Sequence, residues 1–387
     1  MPPPSKSKEP KKEAVKTNRR KAAATKAKGS ASKMAAPAAP PAPPPKPVEV
    51  EGFKPEEVVE QLGKSTKHRG NTYEVLRGPM VHIADCFLRN LENNPRLPVP
   101  VNDRRRVKVD KDDEYLPAQY VKLEMAEYMF VQAPTKAQHK LFWRADQCKI
   151  IVCLCHDDQM SATDDSKCYT YFPTEVNQSI DVELKKGKFT ILCKSAEGLS
   201  MGAMRYEMEL TDSEAPVIDA AISDDPNAAN LPKGLQFTLF HMNTWSGTRP
   251  ETGNPFEQAQ NVELFLREVN KAEVQVLRKS MENFYPPVVI QSFNGIGRAS
   301  IAWVILMLMK DVEKRDCFDV VDLIRNKVMK MRPGSLSNYY HFAFCFAVAL
   351  LVAKEIKWCD TECNNAFEQL CAKFPERKLN ELGNLAN

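Results

Sequence analysis

The sequence lacks the features that mark membrane-spanning and secreted chains. Its longest apolar runs, at 301–309 and 342–353, fall short of the ~18 residues that a membrane-crossing helix requires. The N-terminus has no apolar core of the kind found in a secretory signal. The 11 cysteines are an odd number scattered through predicted strands, which favours reduced thiols over a disulfide framework. We therefore expect an intracellular protein located in the cytoplasm, with no transmembrane segment.

Residues 1–50 lack aromatic side chains and are rich in proline, alanine and lysine. Their basic residues far outnumber their three glutamates, which leaves the rest of the chain weakly acidic. Such a segment cannot bury a core, and we expect it to be disordered. Two roles stay open for this basic tail: a solubilising extension, or an arm for an anionic partner such as nucleic acid or a membrane surface. Residues 376–387 are expected to form a short C-terminal tail.

The cysteine and histidine spacing does not predict a metal site. Two groups have ligand-like residue types: Cys153, Cys155 and His156, and Cys359, Cys363 and Cys371. Alternation along a strand would point the first two cysteines to the same face. No second cluster at zinc-finger spacing accompanies them, so we interpret these cysteines as buried small apolar residues. No metal and no cofactor are expected.

The hydrophobic pattern predicts an α/β fold. Short apolar runs at 149–155, 189–194, 204–210, 235–242 and 287–291 are typical of strands. Helical patterns occupy 54–63, 80–92, 136–147, 258–284, 299–312, 318–331 and 338–372. Strands and helices alternating in this order indicate a layered fold in which helices cover a sheet.

The most distinctive segment runs from Pro287 to Arg298. A predicted strand leads into a loop with two glycines, and an apolar helix follows. Successive backbone N–H groups in such a loop converge on one point, and the helix N-terminus adds a partial positive charge. An arginine that closes the loop can hold two phosphate oxygens at once. The predicted phosphate-binding residues are Ser292, Phe293, Asn294, Gly295, Ile296, Gly297 and Arg298.

This segment, VVIQSFNGIGRAS, resembles the phosphate-binding loop of the protein tyrosine phosphatases, whose consensus is roughly VVVHCSAGIGRSG. Five other segments resemble motifs of that family in the family's order: Glu114 to Val121 (DYINASYI), Gln132 to Arg144 (QGP…DFWR), Lys167 to Pro173 (KCxxYWP), Phe240 to Trp245 (FHxxxW) and Met331 to Gly334 (QRPG). The resemblance implies a single large domain over residues 51–375. It also implies a twisted mixed β-sheet of about eight strands flanked by helices.

In that family a cysteine thiolate attacks phosphorus, an arginine holds the phosphate, and an aspartate protonates the leaving oxygen. Here the nucleophile falls on Ser292 and the preceding histidine on Gln291. Cysteine has a pKa of ~8.5 that a helix terminus can lower, whereas a serine hydroxyl needs an adjacent base. Neither Phe293 nor Asn294 supplies such a base. The resemblance therefore implies a site that has lost its nucleophile.

Other functional positions of the family are changed too. The general-acid aspartate falls on Gly247, and the two glutamines that position water fall on Ser337 and His341. His341 is open to two interpretations, a surrogate base or a capping and packing residue. The tyrosine of the substrate-recognition loop falls on Arg96.

The resemblance thus implies a phosphatase-like protein without catalytic activity, a pseudophosphatase that binds phosphotyrosine proteins or serves as a scaffold. The partners expected are tyrosine-phosphorylated or other signalling proteins. Two alternatives stay open: residual phosphotyrosine hydrolysis, and association of the basic tail with nucleic acid or membrane.

Overall fold

The computed structural model of this chain describes residues 101, 105–109, 115–123, 126–145, 148–184, 187–214, 234–245, 258–279, 287–313, 320, 323–328, 331–332, 335–336, 339–355 and 361–373. The predicted tails, the helices predicted at 54–63 and 80–92, and the predicted domain limits at 51 and 375 lie outside these residues.

One eight-stranded sheet forms the centre of the fold, in the order β1-β2-β10-β3-β9-β8-β7-β6. Its strands are β1 (Ala118–Leu123), β2 (Ala126–Gln132), β3 (Ile150–Cys153), β6 (Ser179–Glu183), β7 (Lys188–Gly198), β8 (Met204–Asp212), β9 (Leu235–His241) and β10 (Val288–Ser292). Two further strands of two residues each, β4 (Met160–Ser161) and β5 (Cys168–Tyr169), pair with each other.

Helices flank the sheet. They are α1 (His139–Ala145), α2 (Ala259–Lys279), α3 (Arg298–Glu313), α4 (Tyr339–Glu355) and α5 (Thr361–Lys373), with a π-helical turn at Leu323–Val328. A short 3₁₀ turn spans Asp157–Gln159. The structure confirms the predicted α/β class and the mixed sheet of eight strands.

Four central strands are parallel, which sets the position of the predicted phosphate loop. Strand β10 pairs in parallel with both β2 and β3, and β3 pairs in parallel with β9. The carboxyl ends of these strands therefore lie at one edge of the sheet. The segments that leave this edge are neighbours in space, and such edges are where open α/β sheets bind ligands.

Alternation along the central strands separates two apolar cores. On β10, Val288 and Ile290 pack in the core that contains the apolar helices α3 and α4, whereas Val289 packs in the core on the opposite face with Trp143. Because side chains alternate along a strand, Gln291 follows Val289 to one face and Ser292 points to the other. The middle parts of helices α3, at 301–309, and α4, at 342–350, are apolar all round, as expected of helical segments buried on every side.

A buried polar link joins β2 to the helices on its face. The Tyr128 hydroxyl donates to a Glu273 carboxylate oxygen at 3.1 Å, and the Lys310 ammonium contacts both groups. Because a carboxylate, an ammonium and a phenol satisfy one another here, the Glu273 and Lys310 charges can be buried. The link holds α2 and α3 against the sheet.

Several element boundaries differ from the prediction. The single helix predicted at 338–372 is divided into α4, which ends at Glu355, and α5, which begins at Thr361. Glu362 lies in the first turn of α5, where the positive end of the helix dipole favours a negative side chain. Within the segment predicted as helix at 318–331, the described turn from Leu323 to Val328 is π-helical.

Within the described part of the chain, no helix is long and apolar enough to cross a membrane. Six described cysteines are buried and form no disulfide bond: Cys148, Cys153, Cys155, Cys168, Cys193 and Cys345. Cys363 is disulfide-bonded, and its partner's side chain is not described. The expectation of reduced thiols is therefore not met at Cys363, the one cysteine with a described side chain that is in a disulfide bond.

Candidate functional site

The loop from Ser292 to Arg298 leaves the carboxyl edge of the sheet through a tight turn. The Gly295 N–H donates to the Ser292 carbonyl at 3.1 Å, and Gly295 has a φ of 70°. A Cβ at Gly295 would lie 3.0 Å from the Gln132 backbone nitrogen on β2. Glycine is thus required here both by the left-handed backbone and by the close approach to the neighbouring strand.

Helix α3 begins directly after the loop. The Gly297 carbonyl accepts from the N–H groups of Ser300 at 3.0 Å and Ile301 at 3.1 Å, which starts the helix. The loop therefore lies at the partially positive N-terminus of a 16-residue helix, as the sequence predicts. Phe293, Asn294 and Gly297 are its half-buried members, and the other loop residues are buried.

A second arginine, Arg332, supports the loop from below. Its guanidinium donates to the Gly295 carbonyl at 3.1 Å and to Gln119 Oε1 at 3.0 Å, and it lies over the Phe130 ring. Burial lowers the pKa of Arg332 to about 10. Since the guanidinium is still charged at neutral pH, these contacts fix the loop to β1 and β2.

Arg298 is buried and held by two neutral acceptors. Its Nη1 donates to the Trp245 carbonyl at 2.6 Å, and its Nη2 donates to Gln159 Oε1. Burial lowers the pKa of Arg298, and the nearby Cys155 thiol opposes that shift. A guanidinium has five N–H donors, so three remain beyond these two contacts. The described residues place no carboxylate in an ion pair with Arg298, and its positive charge favours an anionic ligand.

Ser292, which the sequence predicts to replace the family nucleophile, is 2% exposed. Its Oγ has no hydrogen-bond partner among the described residues. A buried hydroxyl usually has such a partner, because leaving it unpaired costs about 1–3 kcal/mol. The hydroxyl is thus neither activated by a base nor satisfied by the protein around it.

Gln291, which the sequence predicts to replace the family's histidine, is fully buried on the opposite face of β10. Its Oε1 accepts from the Tyr171 hydroxyl at 2.8 Å. Its Nε2 donates to the sulfurs of Cys155 at 3.3 Å and Cys168 at 3.4 Å. The amide is therefore occupied on both sides and takes no proton from Ser292.

His341 lies in the first turn of α4 and is 4% exposed. Burial lowers its pKa to about 3, and the positive charge of Arg298 adds to that shift. An imidazole with this pKa stays neutral at pH 7 and is a weak base. These properties support the packing interpretation of His341 over the surrogate-base interpretation.

The structure brings Ser292, Arg298 and the rest of the predicted loop together at one sheet edge. His341 is buried and is close enough to Arg298 for the positive charge to lower its pKa further. Arg96, Gly247 and Ser337 lie outside the described residues, so their predicted roles stay predictions. Sequence reasoning missed Gln159 and Arg332, which hold Arg298 and Gly295 respectively. Arg332 lies in the segment that resembles the QRPG motif, and this resemblance could have indicated its importance. No sequence pattern indicates Gln159, which is a single polar residue in an irregular segment.

The described residues contain no group of three or more histidine, cysteine, aspartate or glutamate side chains placed to hold a metal ion. What the site offers chemically is an arginine fork, a helix N-terminus and an unpaired hydroxyl. All three are suited to bind an oxyanion.

Two comparisons with known proteins bear on this site. A family model described as protein-tyrosine phosphatase matches residues 90–351, which include the whole loop, Arg332 and His341. A search of curated proteins finds no match.

Proposed function

Because the chain belongs to the protein-tyrosine phosphatase family, we propose that it is a phosphatase-like protein that does not turn over substrate and acts by binding tyrosine-phosphorylated proteins. The family's reaction begins with a nucleophile that loses its proton before it attacks phosphorus. The proposal rests above all on Ser292, whose buried hydroxyl lies where that nucleophile belongs.

No neighbour described here can activate this hydroxyl. Gln291 has no basic atom, and the low pKa of His341 makes it a poor proton acceptor. Serine cannot form its anion at neutral pH without such a base. The replacement of the general acid by Gly247 would remove a further ~10²–10⁴ in rate.

Binding, in contrast, needs only the groups that remain. Arg298 is positioned by Gln159 and Trp245 without having its charge neutralised. A phosphate dianion would supply the missing negative charge and could also accept a hydrogen bond from Ser292. Preformed donors of this kind support binding because little side-chain ordering is required when the ligand arrives.

The test of inactivity compares wild-type protein with Ser292→Cys and with the double variant Ser292→Cys, Gly247→Asp, on an aryl phosphate substrate. We expect no turnover by the wild type and measurable phosphate release by the double variant, because the thiolate and the acid are then restored. Adding Arg298→Ala to the double variant should abolish that release. Turnover by wild type that Arg298→Ala removes would show that the protein is an enzyme.

The test of binding measures the melting temperature with and without tungstate, which mimics phosphate. A ligand selective for the folded state must raise the melting temperature, by an amount equivalent to about 2.7 kcal/mol at 100 times its Kd. We expect a rise for wild type and none for Arg298→Ala. Arg205→Ala is the matched control, because Arg205 is a half-exposed arginine paired with Glu207 on β8.

A phosphotyrosine peptide then distinguishes binding at the phosphate loop from binding at another surface of the protein. Wild type should bind the phosphorylated peptide and not its unphosphorylated counterpart. If neither tungstate nor the peptide binds while partner proteins are still recovered, the protein is a scaffold that uses another surface.

A further inference from the structure

Two aspartates lie on the rim of the phosphate loop, beside Arg298. Asp157 and Asp158 are the first two residues of the 3₁₀ turn after β3, and its third residue, Gln159, accepts from the Arg298 guanidinium. Both aspartates are exposed, and the side chain of Asp158 is 73% exposed. Burial lowers the pKa of Arg298, and Asp158 is close enough for its negative charge to oppose that shift. An exposed pair of carboxylates therefore borders the predicted anion site.

Asp157 is fixed to the segment that follows β9. The Asn243 side-chain amide donates to Asp157 Oδ2 at 2.7 Å. Two residues further along the chain, the Trp245 carbonyl accepts from Arg298 at 2.6 Å. The same two segments, the 3₁₀ turn and the residues after β9, thus hold both Arg298 and a carboxylate of the rim.

No fixed cation neutralises this rim within the described part of the chain. Asp158 Oδ1 lies 2.6 Å from Nδ1 of His156, the residue that precedes the turn. No described lysine or arginine forms an ion pair with Asp157 or Asp158. The rim can therefore attract a cation that a ligand brings.

The floor of the site, formed by Ser292 and Arg298, has the opposite requirement. The Ser292 hydroxyl is buried without a hydrogen-bond partner among the described residues, which is an independent sign that a ligand binds there. The guanidinium of Arg298 favours an anion. Charges within a Debye length of each other, about 8 Å at physiological salt, are only partly screened. A ligand with a phosphate and a neighbouring cation would satisfy both the floor and the rim.

Free inorganic phosphate would satisfy the floor alone, because its negative charge is attracted by Arg298 and repelled by the two carboxylates of the rim. In a protein ligand, the residue next to a phosphotyrosine lies about 3.8 Å away along the backbone. Lysine and arginine have long side chains that place their charge well away from that backbone. Such a cation can lie on the rim while the phosphate lies on the floor.

We propose that Asp157 and Asp158 make the site selective for phosphotyrosine that is flanked by lysine or arginine. This selectivity rests on the proposed binding of tyrosine-phosphorylated proteins and narrows it to one class of sequence. The loop by itself would not discriminate in this way, because it contacts only the phosphate that every phosphotyrosine carries.

The test uses full-length protein and three phosphotyrosine peptides that differ only in the residues on each side of the phosphotyrosine, which are lysine, glutamine or glutamate. Fluorescence anisotropy gives the Kd of each peptide. We expect the lysine peptide to bind about fivefold more tightly than the glutamine peptide, since exposed charge pairs have effects of this order. The glutamate peptide should bind most weakly, and the preference should shrink as salt rises.

Two variants assign the preference to the rim. In the double variant Asp157→Asn, Asp158→Asn the three peptides should bind with nearly equal Kd, and the asparagine at 157 keeps an oxygen that can accept from Asn243. Asp181→Asn is the matched control, because Asp181 is an exposed aspartate on β6, at the end of the sheet order and four strands from β3. This control should retain the wild-type preference. The basic tail is present in every protein compared, so it cannot account for a difference between them.

Tungstate distinguishes lost repulsion from structural damage. It carries no cation, so the double variant, with two negative charges fewer on the rim, should bind tungstate more tightly than wild type does. Damage to the turn that holds Arg298 would weaken tungstate and peptide binding together. Unchanged or weaker tungstate binding by the folded double variant would contradict the proposed role of the rim.

The wild-type peptide results decide the selectivity even if a variant fails to fold. If none of the phosphorylated peptides binds, the proposed function fails and the selectivity fails with it. If all three bind with equal Kd, phosphotyrosine binding stands and only the selectivity is overturned. A preference for the glutamate peptide would also overturn it, and would assign recognition to the exposed Lys136 and Lys140, which follow the neighbouring strand β2.

Discussion

At the scale of single residues, the site combines a buried positive charge on Arg298 with hydrogen-bond partners that are neutral. Arg298 is held by an amide oxygen and a backbone carbonyl, and Gln291 is enclosed by a phenol and two thiols. A buried cation with neutral partners favours binding of an anion, but it provides no base or acid for chemistry. This distribution of charge is why binding is proposed for the loop and hydrolysis is not.

His341 predicts a pH dependence of stability. Its pKa is about 3 in the folded protein against 6.5 ordinarily, so between these values the unfolded chain binds a proton that the folded chain does not. Stability should therefore fall as the pH drops below 6.5, by at most about 1.4 kcal/mol per pH unit from this residue. Urea unfolding of wild type and His341→Leu at pH 7, 6 and 5 checks this. The variant should show the flatter profile, and parallel profiles would contradict the assignment.

At the scale of elements, the loop is fixed by its contacts with the neighbouring strands. Gly295 approaches β2 closely, and Arg332 ties the Gly295 carbonyl to Gln119 on β1. The conformation of the phosphate loop therefore depends on residues far from it in sequence.

Gly295→Ala should be strongly destabilising. The positive φ costs a side-chain-bearing residue about 1–2 kcal/mol, and the contact at 3.0 Å with the β2 backbone adds roughly 1–3 kcal/mol. Gly198→Ala is the matched control, since a Cβ there meets nothing closer than Met204 Sδ at 3.9 Å. Equal losses of unfolding free energy in urea for the two variants would show that the turn is not constrained as described.

Arg332→Met should destabilise the protein by about 2–4 kcal/mol, because it leaves the Gly295 carbonyl and Gln119 Oε1 buried without a donor. Tungstate should also raise the melting temperature of this variant less than that of wild type. The comparison is Arg205→Ala, whose half-exposed ion pair is worth at most about 1 kcal/mol. If both variants unfold alike, Arg332 does not support the loop.

The elements that sequence predicts well are those whose pattern reflects their own burial. The run at 287–291 corresponds to β10, and 204–210 lies within β8, because both contain the regular apolar positions of strands with a buried face. Strand β6 was missed because only Val182 of its five residues is buried, as is usual for an edge strand. The partners of Arg298 could not be predicted either, since one is a backbone carbonyl and the other a lone glutamine.

At the scale of the whole molecule, charge is divided unevenly along the chain. The net charge is +4, but residues 1–50 are strongly basic and the remainder is weakly acidic. The weakly acidic remainder of the chain should not attract a polyanion, and we expect any polyanion binding to be due to the basic tail.

Deleting residues 1–50 should leave the melting temperature unchanged while removing binding to heparin, a sulfated polyanion. Binding by the full chain should weaken steeply as salt rises, because it depends on counterion release. Fluorescence anisotropy over a salt series measures both. Heparin binding that survives the deletion would place the basic surface in the folded domain.

The strand order has a consequence for how the protein is made. Strand β10 lies between β2 and β3, yet it is the last of the ten described strands to leave the ribosome. Until residue 292 emerges, the sheet of the nascent chain lacks the strand that joins β1 and β2 to the five strands from β3 to β6 in the sheet order. The apolar faces of both parts are then exposed to chaperones or to aggregation. An mRNA truncated before codon 287 should thus yield an unfolded product, although it encodes the other nine strands that the structure describes.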